Sequence, residues 1–189
     1  MNIVNQPYYY IIGIHIHDDH KEDKAMAKNQ KLNSMRVLEV NKIPYEIFTY
    51  DSSIRDAQMV AEAVGLPEWT VFKTLVVEVP SSKKPVLVIL ASNTQLNLKK
   101  LAKSIGEKKV AMAKQSNAEK MTGLQVGGIS PLALMQKKWA VYLDKRANEQ
   151  QNIVISAGQR GTQIRLGTLS LIQLVSCKIV DVADDVDEI

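Results

Sequence analysis

Phe72-Lys73-Thr74-Leu75-Val76-Val77-Glu78-Val79, then Pro80-Ser81-Ser82-Lys83-Lys84-Pro85, then Val86-Leu87-Val88-Ile89-Leu90-Ala91: these consecutive segments decide how the chain folds. The first is dense in β-branched residues and reads as a strand. The prolines and serines of the second reverse the chain. The third is continuously apolar, as expected of a central strand buried on both faces. Together they predict a hairpin inside a sheet. Lys73 interrupts the apolar pattern. Along a strand it points away from Phe72 and Thr74 and shares its face with Leu75 and Val77. It is therefore either a lysine snorkelling to solvent from the strand's start or a partly desolvated amine at the edge of a cleft.

Before this hairpin, residues from about Lys24 to Asn41 favour helix, with Leu32, Met35 and Leu38 as its apolar stripe and Pro44 beyond its end. Tyr45 to Tyr50 reads as a strand. A second helix is expected to be capped by Ser53 and to run through Val64, with Asp56 in its first turn, Gly65 at its end and Ala57, Val60, Ala61 and Val64 facing the core. After the hairpin, Asn97 is placed to cap a helix whose inner face is Leu98, Leu101, Ala102 and Ile105, closed by Gly106. Lys108 to Ala113 reads as a short strand and Ser116 to Met121 as a short helix ending at Gly123. Gly127-Gly128-Ile129-Ser130-Pro131 is a marked break. Trp139 to Leu143, Asn152 to Ser156, Gln163 to Leu166 and Lys178 to Val182 read as further strands, and Thr168 as the cap of a helix through Val175. The mixed order, in which hairpins dominate, predicts one α+β domain built on a largely antiparallel mixed sheet or half-closed barrel flanked by helices. Residues 1–24 read as a leader, 25–183 as the domain and 184–189 as an acidic tail.

The 189 residues are 46% hydrophobic and 23% charged, enough for one sizeable core. The formal charge of +4 is unevenly spread. The lysines from Lys99 to Lys145, with Arg146, are opposed only by Glu107, Glu119 and Asp144, whereas Asp181, Asp184, Asp185, Asp187 and Glu188 crowd the end. A basic middle suits a polyanionic partner, though a solvated lysine-rich face gives the same composition. Cys177 is the one cysteine, which excludes an intramolecular disulfide and points to a reducing, cytoplasmic setting. No apolar run approaches the ~20 residues that span a bilayer, so no membrane partner is expected.

Chemistry has few candidates. There is no phosphate-binding Walker loop, no dinucleotide glycine pattern, no His-Glu-x-x-His pair and no Gly-x-Ser-x-Gly elbow. His15, His17 and His20 beside Asp18 and Asp19 hint at a metal site, but no histidine follows them, so neither a metal nor a cofactor is expected. Three features remain: Lys73; the Gly127-Gly128 loop, whose N–H groups could cradle an oxyanion; and Ser156-Ala157-Gly158-Gln159-Arg160-Gly161 after an apolar strand. Both glycine loops could equally be tight connections.

At these places the sequence resembles the YbaK and prolyl-tRNA-synthetase-associated editing domains. The resemblance runs from about Asn33 to Ala183. Four blocks carry it: Val71-Phe72-Lys73-Thr74-Leu75, Leu96-Asn97-Leu98-Lys99-Lys100-Leu101-Ala102, Val126 to Leu132, and Ile155 to Gly161. Asp144, after Trp139-Ala140-Val141-Tyr142-Leu143, matches as well. The resemblance implies hydrolysis of mischarged aminoacyl-tRNA, most often tRNA(Pro) carrying cysteine or alanine, with prolyl-tRNA synthetase as a further partner. It places the family lysine on Lys73 and other site positions on Tyr50, Gly127, Gly128 and Ser156. Thr74, Ile129, Ser130 and Asp144 are added as substrate-binding candidates, and Lys99, Lys100 and Lys103 as tRNA contacts. Ala133 and Ala157 depart from the family pattern, where glycines are frequent. The segment between Tyr50 and Lys73 is shorter than in cysteine-specific members, which bears on the aminoacyl pocket. The alternative class is a non-catalytic module of the same fold that binds tRNA or a synthetase.

Overall fold

The computed structural model describes residues 8–10 and 31–186. The hairpin of β3 (Phe72–Glu78) and β4 (Val86–Ala91) forms as expected, with Phe72 opposite Ala91 and Val77 opposite Val86. It lies within a five-stranded sheet of order β10-β7-β4-β3-β6, completed by β6 (Ala111–Met112), β7 (Val141–Asp144) and β10 (Lys178–Val180). The β4–β7 and β7–β10 pairings are parallel and the others antiparallel. All six residues of β4 are buried because both faces of this sheet are covered.

A second, antiparallel sheet has the order β1-β2-β9-β8, from β1 (Tyr8–Tyr10), β2 (Tyr45–Thr49), β8 (Asn152–Ser156) and β9 (Thr162–Gly167). One parallel bridge, Val71 to Val154, ties the entry of β3 to β8 and so joins the two sheets at a corner. No closed barrel results among the described residues. Phe72, Val76, Leu87, Ile89 and Leu143 of the first sheet pack with Ile153, Ile155, Ile164 and Leu166 of the second. The opposite face of the first sheet, through Val77, Val88 and Leu90, is covered by Leu101 and Ala102 of α3 (Leu98–Ile105). A two-stranded pair, β5 (Thr94–Leu96) with β11 (Ala183–Asp185), borders that side.

Some boundaries differ from expectation for local reasons. The first helix, α1, is Asn33–Val40, and residues 24–30 of the expected helix lie outside the described residues. The cap of α2 (Ala57–Ala63) is Asp56 rather than Ser53: the carboxylate of Asp51 takes the N–H of Ser53 at 2.8 Å and holds that stretch in a turn. Asn97 does cap α3, accepting from Lys100 N at 2.9 Å, and Gly106 ends it at φ 76°. The next helix, α4, spans Gln115–Thr122. Thr168 begins α5 (Thr168–Val175) but caps nothing: its hydroxyl donates to the carbonyl of Gln150 at 2.6 Å.

The first residues of the expected acidic tail, Asp184 and Asp185, are part of the fold. Asp184 and Asp185 belong to β11, and Val182 is fully buried. Asp184 pairs with Lys100 at 2.6 Å, Asp181 with Lys145 at 2.7 Å and Asp185 with Arg146 at 2.5 Å. The uneven charge seen along the sequence is thus partly neutralised where its two halves meet. At the other end, Tyr8–Tyr10 adds an edge strand to β2. His15, His17 and His20 lie outside the described residues.

Candidate active site around Lys73

Lys73 sits where β3 leaves the Val71–Val154 bridge, at the corner between the two sheets. A cavity of about 220 Å³ opens there. Val71 to Leu75 form one wall, Arg55, Asp56, Ala57 and Val60 a second, Val126, Gly127 and Ile129 a third, and Ser156 with Gln163 the floor. Of the residues proposed from sequence, the fold brings Lys73, Thr74, Gly127, Ile129 and Ser156 into this cavity from three separate stretches of chain.

The lysine is half-buried and its Nζ donates to the carbonyl of Ser92 at 3.0 Å. Burial pushes its pKa below the ordinary 10.5, and the negative charge of Asp56 works against that shift. Thr74 Oγ1 is buried without a hydrogen-bond partner among the described residues. Ser156 is 7% exposed, and its hydroxyl accepts weakly from Gly158 N at 3.4 Å.

The two glycines have different duties. Gly127 has φ 90°, which a side chain disfavours, and its N–H makes no hydrogen bond among the described residues. The N–H of Gly128 is already given to the carbonyl of Gln125 at 2.8 Å, and Gly128 does not line the cavity. A Cβ on Gly128 would come within 2.7 Å of Arg160 N and 2.9 Å of Gln159 C. Its smallness lets the 159–160 loop close over it, and Arg160 fastens the contact by donating twice to Val126 O, at 3.0 and 2.6 Å. The expectation that both N–H groups are available to a ligand is corrected to Gly127 alone.

Three further residues lie outside the cavity wall. Ser130 is fully buried, and its hydroxyl and the buried Tyr50 hydroxyl have no hydrogen-bond partner among the described residues. Asp144, 1% exposed, uses Oδ2 to accept from Val182 N and Ala183 N at 3.0 and 2.9 Å, and Oδ1 to accept from Arg146 N at 3.1 Å. Its carboxylate anchors the segment at Val182 and Ala183. Conversely, Arg55, Asp56 and Gln163 line the cavity but were not proposed from sequence. In the sequence Asp56 reads only as a first-turn residue of the second helix. Gln163 reads as one strand residue among several, and only its pairing opposite Ser156 places it at the site.

On α3, Lys99, Lys100 and Lys103 are all exposed. Lys100 is committed to Asp184, whose hydrogen bond raises its pKa, which leaves Lys99 and Lys103 for a polyanion. Cys177 is partly buried, and burial pushes its thiol up to about 11, so it is no thiolate nucleophile at neutral pH. A broader cleft of about 720 Å³ lies between α1 and the loops at Gly123 and Gly158, and it contains none of the proposed site residues. Among the described residues no His, Cys, Asp and Glu cluster is arranged to hold a metal, and no helix is long and apolar enough to cross a membrane.

The fold is a two-sheet α+β domain in which half-buried Lys73 and the Gly127 loop line one cavity. Residues 51–174 match the aminoacyl-tRNA editing domain family, and the chain belongs to that family, in its YbaK-type branch. It is 38% identical over 162 residues to an Enterococcus faecalis protein provisionally named Cys-tRNA(Pro)/Cys-tRNA(Cys) deacylase EbsC, spanning 83% of this chain and 98% of that one. It is also 36% identical over 95 residues to a proline–tRNA ligase of Thermodesulfovibrio yellowstonii, a match covering 50% of this chain and 16% of the ligase. A crystal structure of a provisionally assigned trans-editing enzyme for prolyl-tRNA synthetase superposes with TM-score 0.69 at 21% identity, covering 80% of this chain and 95% of that one. A hypothetical protein superposes at TM-score 0.73 and 18% identity, over 80% of this chain and 99% of its own. These two structures share the fold.

Proposed function

We propose that the protein deacylates mischarged tRNA in trans, with cysteinyl-tRNA(Pro) or cysteinyl-tRNA(Cys) as the first substrates to test and alanyl-tRNA(Pro) as the next. The observation that carries this reading is the half-buried Lys73 in a cavity that is also lined by Gly127, whose N–H makes no hydrogen bond among the described residues. The E. faecalis relative, matched over nearly its whole length, supports the choice of cysteine.

An aminoacyl ester is already activated, so positioning and electrostatics suffice to speed its hydrolysis. In the proposed step a water oxygen adds to the ester carbonyl carbon and a tetrahedral oxyanion forms. The bond from that carbon to the ribose oxygen then breaks. The proton lost by the water goes to the ribose oxygen, giving free amino acid and a terminal hydroxyl. Gly127 N–H donates to the developing oxyanion. Lys73, as the ammonium, holds the terminal phosphate or the carbonyl oxygen in a setting where burial strengthens its field. Thr74 and Ser156 orient the ester through their hydroxyls. Asp56, the carboxylate that lines the cavity, is engaged in capping α2 through Oδ1, and the proton relay is assigned to a hydroxyl or thiol of the substrate. Lys99 and Lys103 meet the acceptor-stem phosphates.

The test is a deacylation panel with the purified full chain on Cys-, Ala- and Ser-charged tRNA(Pro), Cys-tRNA(Cys) and correctly charged Pro-tRNA(Pro). Release of cysteine or alanine with sparing of proline is the expected result. Equal rates on all five, or rates no greater than spontaneous hydrolysis, would refute the assignment.

A further inference from the structure

Among the described residues, Asp56 is the one anionic side chain lining the Lys73 cavity, against the cations Arg55 and Lys73. Its Oδ1 caps α2, accepting from Gln58 N at 2.9 Å and Met59 N at 3.1 Å. Its Oδ2 makes no hydrogen bond among the described residues. The charge is felt inside the cavity, since it acts on Lys73 against the effect of burial. A second acceptor lies in the same cavity: Gln163 is 5% exposed, and its Oε1 is buried with no partner among the described residues. A buried acceptor left unpaired is costly, and a ligand donor relieves that cost. One charged and one neutral acceptor in a small cavity fit a compact cation with several N–H donors.

An aminoacyl ester carries such a cation, the α-ammonium, on the carbon next to its reacting carbonyl. We infer that Asp56 Oδ2 and Gln163 Oε1 bind the α-ammonium of the aminoacyl group, so that the site reads a free amine and rejects an N-blocked amino acid. This rests on the deacylase reading and assigns the cavity's charges: Asp56 for the amine, Lys73 and Arg55 for phosphate or carbonyl oxygen. An acylated amine loses its charge and adds bulk at the exposed edge of the cavity lined by Asp56 and Ala57.

The experiment compares the full chain with Asp56→Asn, a substitution that keeps the helix cap because Asn and Asp serve equally there. Deacylation is measured on cysteinyl-tRNA and N-acetyl-cysteinyl-tRNA. Binding is measured by calorimetry with the non-hydrolysable 3′-cysteinylamido-adenosine and its N-acetyl form, and thermal melts verify the fold. The wild type is expected to favour the free amine by about tenfold or more in rate and affinity, the scale of one charge-assisted hydrogen bond. Asp56→Asn should lose most of that preference at an unchanged melting temperature, and Gln163→Met should lose part of it. Equal affinity of the wild type for the two analogues, or an undiminished preference in Asp56→Asn, overturns the inference. A wild type that prefers the free-amine analogue yet hydrolyses neither tRNA supports the amine site and refutes the deacylase reading.

Discussion

The ammonium of Lys73 donates to the backbone carbonyl of Ser92 across 3.0 Å, and the hydroxyl of Ser92 donates to the carbonyl of Glu68 at 2.8 Å. This chain of hydrogen bonds holds the cation at the cavity instead of letting it swing to solvent. It also fixes the loop after β4 against the turn that precedes β3.

Replacing Lys73 with Ala or Met should lower kcat/KM for cysteinyl-tRNA by at least about a hundredfold, the scale seen when one electrostatic interaction with a transition state is removed. Met retains the bulk, so its deficit isolates the charge. Circular dichroism and melting should stay near wild type. A Met variant with a wild-type rate would eliminate the lysine from the mechanism.

The pH dependence follows from burial. With its pKa below 10.5, Lys73 loses its proton earlier in an alkaline titration than an ordinary lysine. Enzymatic deacylation, corrected for spontaneous hydrolysis, should therefore decline as pH rises through that lowered value, and Lys73→Met should lack this limb. The stability effect has the opposite sign. Between the folded and unfolded pKa values the unfolded chain binds more protons, so raising pH across that window favours the fold. A pH profile of the same shape in wild type and Lys73→Met would contradict the assignment.

Gly128→Ala should destabilise the protein, because its Cβ would lie 2.7 Å from a backbone nitrogen that cannot rotate away. Gly127→Ala faces only the Arg160 side chain, from 3.4 Å, but must hold φ 90°, at a cost of about 1–2 kcal/mol. Urea melts rank the two for stability. Activity per folded molecule should fall for Gly127→Ala, whose N–H is displaced from the cavity. The reverse pattern would mean that Gly128 is the residue that touches substrate.

The α3 lysines should separate by partner. Lys99→Gln with Lys103→Gln is expected to weaken tRNA binding and to flatten its salt dependence by roughly 0.7–0.9 for each phosphate no longer neutralised. Lys100→Gln should instead loosen the Asp184 pairing, an exposed ion pair of little weight for stability, and leave the salt slope nearly unchanged. Filter binding across a salt series decides. An unaltered slope in the double variant would mean that the acceptor stem docks elsewhere.

Asp144→Ala should cost on the order of 3 kcal/mol, because it strands three backbone N–H groups at a buried position. A chain truncated after Val180 should unfold or aggregate, since it lacks buried Val182 and the β5–β11 pairing. Denaturant melts check both. If Asp144→Ala melts like wild type while its KM rises, the carboxylate meets substrate after all.

The sequence by itself determined the β3–β4 hairpin, the α3 helix with its Asn97 cap and Gly106 stop, and the place of Lys73 on its strand, because these depend on short-range pattern and capping chemistry. It also marked Gly127, Thr74, Ile129 and Ser156, through the spacing of four blocks that resemble one family. Tertiary structure alone decided which marked residues meet. Gly128 proved to be a packing glycine, because the 159–160 loop lies against it from far along the chain. Asp144 proved to be a C-terminal anchor, because two of the N–H groups it satisfies are 38 and 39 residues away. Lys100 proved to be paired, because the acidic end folds back onto α3. Gln163 joined the cavity through a strand register, which no local pattern encodes. In each case the deciding interaction is long-range, and the sequence records the residue types but not which distant partner each one meets.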